Sequence, residues 1–377
     1  MKLEGLRVLD LSRFLPGPYV TLMMSDHGAE VIAIEAPGEG EPARHIGPRV
    51  GEHTVWFRNT NRGKKSLTLD LKNAEDRQFF LDLAKDADVI VESFRPGVAA
   101  RLGVDYKTIS AFNPRIVYLS IAAFGQTGPL ANVAGHDVVI GAIAGVLSLN
   151  VDRDSRPVLP HMPVSDITVS SLGLSGVLMA LYRREKTGRG DYIDMSMHDA
   201  TLSWVPHTIG PVFAWQKPPE PKLERSWGGH AFIQIYETKD KRFVALCGAE
   251  KKFVVNLLEP LGRPDLIAAT LEAPGAAHEP VKAFLREEFA KRTRDEWTEW
   301  FKGRDVAFAP VLNLVEGVAH PQVAAREMVL KDADGLPQLG NPIKFLHDPA
   351  VIDTRVPGMG EHDEELGKRP AARVSSA

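Results

Sequence analysis

Three acidic or imidazole side chains have settings that suit proton transfer or nucleophilic attack. His136 stands with Asp137 directly before the apolar run VVIGAIAGVL. Asp166 precedes a long apolar segment and occupies a position typical of a helix N-cap, where backbone N–H groups and the helix dipole favour a carboxylate. Glu250 follows an apolar strand pattern, and acids just past a strand end often face a cleft. These residues are candidates for an acid/base or nucleophilic site.

Each candidate also has a purely structural interpretation. Asp137 is predicted to cap the helix that follows it, and His136 can be a satisfied, partly buried side chain. Asp166 can be a simple N-cap, and Glu250 can simply meet solvent. Residue type and spacing alone leave both interpretations open.

Cations recur near the ends of successive predicted strands. Arg44 follows a glycine-rich turn, Lys64 and Lys65 precede one strand, and Arg95 ends another. Gly97 and Gly125, in turns after predicted strands, are counted with these cations as candidate ligand contacts. Cations and free amides at the carboxyl edge of a parallel sheet bind anions, so the pattern predicts a phosphate-bearing ligand.

The elements that must position these side chains alternate between strand and helix. Strands are predicted at 6–12, 29–35, 66–71, 88–94, 115–125 and 191–197, with helices between several of them. Alternation of this kind predicts a parallel sheet with helices on both faces. The architecture is Rossmann-like, but the first turn reads Phe14-Leu15-Pro16-Gly17-Pro18 and lacks the dinucleotide fingerprint. An NAD(P) dehydrogenase is therefore a distant alternative.

A change of composition divides the chain into a large and a small domain. Residues 1–210 form the first part of the large domain, and the proline-rich, charged stretch 211–229 is predicted to be a linker. Residues 230–310 read as a small α+β domain with a hairpin and amphipathic helices. Residues 311–377 are predicted to return and pack on the large domain.

Composition limits the partners and compartments to consider. The net charge is −4, with no basic stretch that would indicate nucleic-acid binding. The single cysteine, Cys247, allows no intramolecular disulfide, and no signal peptide or uncharged apolar run of about 18 residues is found. We expect a cytoplasmic protein with no membrane partner. The histidines show no metal-ligand spacing, so no metal site is expected.

Several ordered blocks carry a resemblance to a known family. They include GLRVLDLSRFLPGPYVTLMMSDHGAEVIAIE, NRGKKSLTLDLK, DVIVESFRPGVAARLGVDY, AFGQTGP, GHD, PVSDI and GRGDYIDMSMHDA. Together they resemble the family III CoA-transferase (CaiB/BaiF-like) superfamily, which also contains the α-methylacyl-CoA racemases. The resemblance implies an acyl-CoA substrate, with coenzyme A as part of that substrate and no permanently bound cofactor. Arg44, Lys64, Lys65, Arg95, Gly97 and Gly125 then become candidate CoA contacts.

The resemblance also assigns roles to the candidate residues. Asp166 matches the catalytic aspartate, which attacks the acyl-CoA in transferases and acts as an acid/base in racemases. His136 and Glu250 match a racemase dyad, and for that reason an acyl-CoA racemase or epimerase is the preferred function. A CoA transferase that works through an aspartyl-CoA thioester is the alternative, and a non-catalytic CoA-thioester binder is the third.

The family fold implies an interlocked homodimer. In such a dimer each chain has a large Rossmann-like domain and a smaller domain joined by two linkers. Glu250 would then approach His136 and Asp166 across the dimer.

Overall fold

The computed structural model describes residues 1–152 and 154–368, which form two compact units. The larger unit comprises Met1–Leu147, Leu159–Val205 and the chain from Pro321 onward. The smaller unit comprises Ser148–Val158 and Pro206–His320. The protein therefore has the mixed α/β architecture that the alternating pattern predicted.

The chain forms thirteen strands and fifteen α-helices within the described residues, most of them short. The strands are β1 Arg7–Asp10, β2 Glu30–Glu35, β3 Arg49–Val50, β4 His53–Thr54, β5 Lys65–Thr68, β6 Val89–Glu92, β7 Val117–Ala122, β8 Asp191–Ser196, β9 Ile233–Glu237, β10 Phe243–Cys247, β11 Phe308–Pro310, β12 Val329–Lys331 and β13 Pro337–Leu339. The helices are α1 Pro16–Asp26, α2 Val55–Asn61, α3 Ala74–Ala84, α4 Val98–Leu102, α5 Tyr106–Ser110, α6 Asp137–Ile143, α7 Val164–Thr187, α8 Met197–Leu202, α9 Gly210–Trp215, α10 Lys251–Leu258, α11 Ile267–Thr270, α12 Glu279–Phe289, α13 Arg294–Phe301, α14 Leu314–Val318 and α15 Pro321–Ala325.

A six-stranded parallel sheet organises the larger unit. Its strand order is β5-β2-β1-β6-β7-β8, and every neighbouring pair is parallel. Successive side chains along a strand point to opposite faces, so each strand supplies two cores. Val8 and Val89 belong to one core, while their neighbours Leu9 and Ile90 belong to the other. Burial on both faces explains why the strands read as nearly continuous apolar runs.

The two faces of the sheet are covered by different helices. α1 and α7 cover one face, where α7 also packs on α6, α8, β7 and β8. The close approach depends on small residues: a Cβ on Gly173 would lie 3.2 Å from Leu119. Residues of α3 and α5 belong to the core on the other face.

The central helix α7 is long and apolar. By its length of 24 residues and its composition it meets the criteria for a membrane-crossing segment, although its uncharged run, between Asp166 and Arg183, is shorter than about 18 residues. The helix ends in the charged run Arg183–Lys186, and its buried side packs against the sheet and three neighbouring helices. In the larger unit it therefore occupies the position of a core helix.

The smaller unit is built on a three-stranded antiparallel sheet. Its order is β11-β10-β9, and its core includes residues from α10, α12 and α13. Trp297, at the centre, is fully buried and donates its indole N–H to the carbonyl of Phe289 at 2.9 Å. The unit has the α+β composition expected for residues 230–310.

The division of the chain differs from the predicted boundaries in three places. Residues 148–158, expected in the large domain, belong to the smaller unit, where Val151 bridges to Pro157. The stretch 211–229, expected to be a linker, contains most of α9 and also belongs to the smaller unit. The return to the larger unit occurs at Pro321, and residues 369–377 of the predicted C-terminal part lie outside the described residues.

Three of the predicted ligand-binding cations are held in ion pairs of the larger unit. Lys64 is fully buried, and its Nζ donates to Asp10 at 3.1 Å and to Asn61 at 3.0 Å. Arg44 makes a bidentate pair with Glu35, with both contacts at 2.7 Å. Asp10 lies 54 residues from Lys64, whereas Glu35 lies only nine residues from Arg44, at the other end of the same glycine-rich segment.

Lys65 also pairs with acidic side chains, but it is more exposed to solvent. Its Nζ lies 2.7 Å from Glu30 and 2.8 Å from Glu365, and its side chain is 30% exposed. Arg44, Lys64 and Lys65 thus make intramolecular ion pairs, and their role as CoA contacts stays a prediction.

The adjacent lysines provide a matched test of the structural role of these ion pairs. Lys64→Ala would leave the buried Asp10 carboxylate without its cation, so we expect a loss of about 3–5 kcal/mol in the free energy of unfolding. Lys65→Ala removes a partly exposed pair and should cost at most about 1 kcal/mol. Urea unfolding of both variants measures the difference. Equal stability of the two variants, with a specific loss of CoA affinity in Lys64→Ala, would support the ligand role.

Candidate active site

A cavity of about 330 Å³ opens at the carboxyl edge of the parallel sheet. It is lined by the loops that follow β1, β6 and β7, together with side chains from α2, α7 and α8. β2 and β6 lie on opposite sides of β1, so the cavity lies where the strand order reverses. Open α/β sheets bind their ligands in this crevice.

His136 and Asp166, two of the predicted catalytic residues, both line this cavity. His136 occupies the N-cap position of α6, where its backbone carbonyl accepts the amide of Ile140 at 3.1 Å. Its side chain makes no capping hydrogen bond and is exposed at the cavity. The expectation that His136 faces a site agrees with this placement, and its catalytic role stays a prediction.

The helix caps differ from those expected. Asp137 is the first residue of α6 and does not occupy its N-cap position. Its Oδ1 instead accepts the backbone N–H of Ser165 at 2.6 Å, in the first turn of α7. Asp166 is the third residue of α7, which begins at Val164, so it is not an N-cap either. Asp137 therefore accepts a hydrogen bond from the first turn of α7, the helix that carries Asp166, and does not cap its own helix.

Burial dominates the electrostatics of Asp166. Desolvation, the larger cause, and the nearby negative charge of Asp137 together raise the pKa of its carboxyl to about 7. The N-terminus of a helix acts the opposite way, because its unpaired N–H groups favour a carboxylate. The net result is a carboxyl that exchanges its proton near neutral pH, which suits a base or a basic nucleophile.

The loop after β1 forms one wall of the cavity in a strained conformation. Phe14 has φ +64°, a left-handed value that is uncommon for an aromatic residue. Its backbone N–H donates to Glu41 at 2.7 Å, which holds the loop in place. The ring of Phe14 stands edge-on to His136, with centroids 6.1 Å apart. Strain of this kind is characteristic of functional loops.

Arg95 is the predicted CoA contact that lines the cavity. Its exposed side chain borders both this cavity and a neighbouring one of about 210 Å³, which Gly97 also lines. Gly125 does not line either cavity. It has φ +77°, and a Cβ there would lie 3.3 Å from Ser196, so its role in the structure is the turn after β7.

Glu250 lies in the smaller unit. It is the N-cap residue of α10, with an exposed side chain that makes no capping hydrogen bond. Its backbone carbonyl accepts the amide of Phe253 at 2.9 Å. Its pairing with His136 stays a prediction.

The sequence analysis missed several groups at this edge of the sheet. Glu92 ends β6 and is almost completely buried, with a pKa that desolvation raises to about 7. Arg13, Phe14, Trp56 and Met197 all line the main cavity. Position at the carboxyl end of a predicted strand was the available signal for Glu92, Arg13 and Phe14. That signal was used for Glu250, Arg95 and other residues, but not for these three.

The side chains of the cavity support nucleophilic or acid/base chemistry on a ligand with an acidic or electrophilic carbon. Among the described residues no group of three or more histidine, cysteine, aspartate or glutamate side chains is arranged to hold a metal ion. Within residues 1–152 and 154–368, Asp166 is the one acidic residue that lines the cavity, and His136, Arg13 and Arg95 are the other titratable or charged groups there.

We predict that Asp166 titrates near pH 7 in the folded protein, well above its ordinary 3.8. The raised pKa means that the folded state holds the proton more tightly than the unfolded state, so stability falls as the pH rises from about 4 to about 7. Asp166→Asn should therefore stabilise the protein more at pH 8 than at pH 5.

Carbon-13 NMR of labelled aspartate and thermal unfolding at both pH values would measure these effects. Asp199→Asn, at an exposed site in α8, is the matched control. A carboxyl that titrates near pH 4, with the same effect of Asp166→Asn on stability at both pH values, would contradict the prediction.

Comparison with known proteins identifies the family of this chain and supports its fold. The model for "CoA-transferase family III" matches residues 3–363. Acetyl-CoA:oxalate CoA-transferase of Acetobacter aceti is 36% identical over 98% of this chain and 96% of its own length. Alpha-methylacyl-CoA racemase of Mus musculus is 32% identical over 97% of this chain and 92% of its own length.

The fold has a counterpart among solved structures. The crystal structure of a CaiB/BaiF family protein from Brucella suis superposes with a TM-score of 0.82 and 30% identity. The match covers 97% of this chain and 98% of that chain. From its sequence and its fold, this chain is an enzyme that belongs to CoA-transferase family III.

Proposed function

We propose that this enzyme transfers CoA from an acyl-CoA to a carboxylic acid, with Asp166 as the nucleophile. The observation that carries the proposal is the position of Asp166, the acidic residue of a cavity at the ligand-binding edge of the sheet. The raised pKa makes its carboxylate more basic, and hence more nucleophilic, than that of an ordinary aspartate. The 36% identity to an acetyl-CoA:oxalate CoA-transferase supports the same reaction class.

The proposed reaction proceeds by two acyl exchanges at one carboxylate. The Asp166 carboxylate attacks the thioester carbonyl of the donor, and CoA thiolate leaves to give a mixed anhydride. The thiolate then attacks the aspartyl carbonyl, which releases the donor acid and forms an aspartyl-CoA thioester. The acceptor carboxylate repeats these steps in reverse, so the new acyl-CoA leaves and Asp166 is regenerated.

Positive charge at the cavity supports a carboxylate acceptor. Arg13 and Arg95 are both exposed at the cavity that contains Asp166. Guanidinium groups bind carboxylates and phosphates through paired N–H donors. We assign Arg95 to the CoA moiety, as its sequence position indicated, and Arg13 to the acceptor. By analogy with the oxalate enzyme, the acceptor is a small carboxylic acid.

A racemase or epimerase is the second candidate, and the position of His136 favours it. Inversion at the α-carbon of a thioester requires one group to remove a proton and another to return it on the opposite face. His136 and Asp166 line one cavity and are of the required types. Glu250 would orient His136, and the backbone amides at the start of α6 would stabilise the enolate oxygen. The racemase of Mus musculus supports this alternative at 32% identity.

Two assays on the same variants separate the two reactions. Transfer predicts that hydroxylamine, added during turnover of an acyl-CoA with a panel of small acids, converts Asp166 to a hydroxamate visible by mass spectrometry. Asp166→Asn should abolish this adduct and lower transfer by about 10³-fold or more. His136→Ala should retain the adduct, because the histidine is not the nucleophile.

Racemisation predicts the opposite pattern. A 2-methylacyl-CoA in deuterium oxide should exchange its α-proton, and His136→Ala should lower that exchange by about 10²–10⁴-fold. Exchange without adduct or acyl transfer would overturn the transferase proposal. Adduct and transfer without exchange would exclude the racemase.

We also propose an interlocked homodimer. Large apolar side chains are strongly exposed on the single chain: Met179 67%, Tyr182 67%, Phe213 81%, Trp215 70%, Leu314 77% and Val315 81%. Apolar exposure of this extent is typical of surfaces that bind another protein, and a second copy of this chain is the partner that the family resemblance implies. We retain the cytoplasm as its proposed location.

Subunit exchange tests the interlocked arrangement. Two differently tagged forms, mixed in the native state, should yield no mixed dimers, since interlocked chains separate only on unfolding. Joint unfolding and refolding should yield mixed dimers, measured by tandem affinity capture. A monomer in sedimentation, or free exchange in the native state, would contradict the proposal.

A further inference from the structure

We propose that Asp137 is a positioning residue that fixes the backbone carrying His136 against the helix carrying Asp166. Asp137 directly follows His136, and Ser165 directly precedes Asp166. Ser165 donates two hydrogen bonds to Asp137. The Asp137 carboxylate accepts the Ser165 backbone N–H at 2.6 Å, and the Ser165 hydroxyl donates to the Asp137 carbonyl at 3.3 Å. The two residues of the proposed site are thus held through their immediate neighbours.

The helix that carries Asp166 lacks a cap of its own. Its N-cap residue is Pro163, which makes no side-chain capping hydrogen bond. The first backbone N–H groups of a helix have no partner within it, and a carboxylate is the preferred acceptor there. Asp137 meets this need from another helix, at a sequence distance of 28 residues. Ser165 is buried, so water does not readily replace the carboxylate.

The same carboxylate acts on Asp166 through its charge. Asp137 is the second cause, after burial, of the raised pKa of Asp166. The other charged or titratable groups around the cavity are Arg13, Arg95 and His136. On α8, which packs on α7, His198 and Asp199 pair with each other at 3.0 Å. Asp137 is the acidic neighbour that opposes ionisation of Asp166.

The position and the charge of Asp137 have separable consequences. Its hydrogen bond to Ser165 fixes the distance between two backbone segments, which governs the turnover rate at any pH. Its charge governs the pH at which Asp166 loses its proton. The kinetic consequence rests on the proposed function, whereas the effect on the Asp166 proton does not.

Two substitutions at Asp137 separate the two effects. Asp137→Asn keeps a carbonyl oxygen that can accept the Ser165 N–H but removes the charge. Asp137→Ala removes both. Asp199→Asn is the matched control, since it makes the same chemical change in the first turn of α8, where the side chain is 79% exposed.

We expect Asp137→Asn to lower the pKa of Asp166 and to move the acid limb of the kcat/KM profile to lower pH. At pH 8 its kcat should stay within about tenfold of the wild type. Asp137→Ala should in addition lower kcat at pH 8 by about 10–100-fold, as expected for displaced reacting groups, with KM changed by less than about threefold. Asp199→Asn should leave the Asp166 titration and the kinetics unchanged.

Direct titration of Asp166 by carbon-13 NMR, without substrate, keeps the test independent of the reaction. An unchanged Asp166 pKa in Asp137→Asn overturns the electrostatic part of the inference even if transfer by Asp166 is proven. A shifted pKa with activity that does not depend on Asp166 overturns the proposed function alone. If Asp137→Ala lowers only the unfolding temperature and leaves kcat intact, the residue is merely structural. If Asp137→Ala does not fold, the pKa of Asp166 and the pH profile of kcat/KM, both measured in Asp137→Asn, still test the inference.

Discussion

The order of strands around β1 is the constraint on which the site depends. The chain adds β2 on one side of β1 and β6 on the other, so the loops that leave β1 and β6 diverge at the carboxyl edge of the sheet. The crevice between them is not filled by either loop. Phe14 and Arg95 enter it from these two loops, while His136 and Asp166 reach it from α6 and α7. The strand order of the parallel sheet therefore produces the cavity, whichever side chains line it.

The buried carboxylate of Asp166 lowers the stability of the folded protein. A carboxylate in the first turn of a helix is ordinarily favoured in its charged form, yet here burial and a neighbouring acid disfavour that form. The fold accepts a poorly solvated acid at a position where a neutral residue would be more stable. Reactive sites commonly carry this penalty, because a fully solvated and well-paired carboxylate is a weak base.

Patterns within a few residues were sufficient for much of the fold. The strands of the parallel sheet are short apolar runs between turns, and their positions followed from the sequence. The shared cavity of His136 and Asp166 was also anticipated, through the family resemblance. What local patterns could not provide was the partner of a charged side chain. The partner of Lys64, Asp10, lies 54 residues away, and the pair of Arg44 with Glu35 depends on how the turn between them folds.

Local sequence patterns also failed to predict the helix caps. Asp137 stands before an apolar run and was expected to cap its own helix, but its partner Ser165 lies 28 residues away. The grouping of residues 148–158 with the smaller unit has a similar cause, since it depends on contacts with residues beyond 206. Long-range pairing of this kind is decided by packing and leaves little trace in residue order.

Because residues 148–158 belong to the smaller unit, the two units are completed at different times during synthesis on the ribosome. His136 and Asp166 flank a segment that belongs to the smaller unit, and the rest of that unit lies at Pro206–His320. The last strand of the parallel sheet ends at Ser196, so the sheet can assemble while the chain is still growing. The rest of the smaller unit is synthesised only after the sheet, because it begins at Pro206. A nascent chain can thus hold a complete parallel sheet, with all the residues that line the cavity, before the smaller unit is complete.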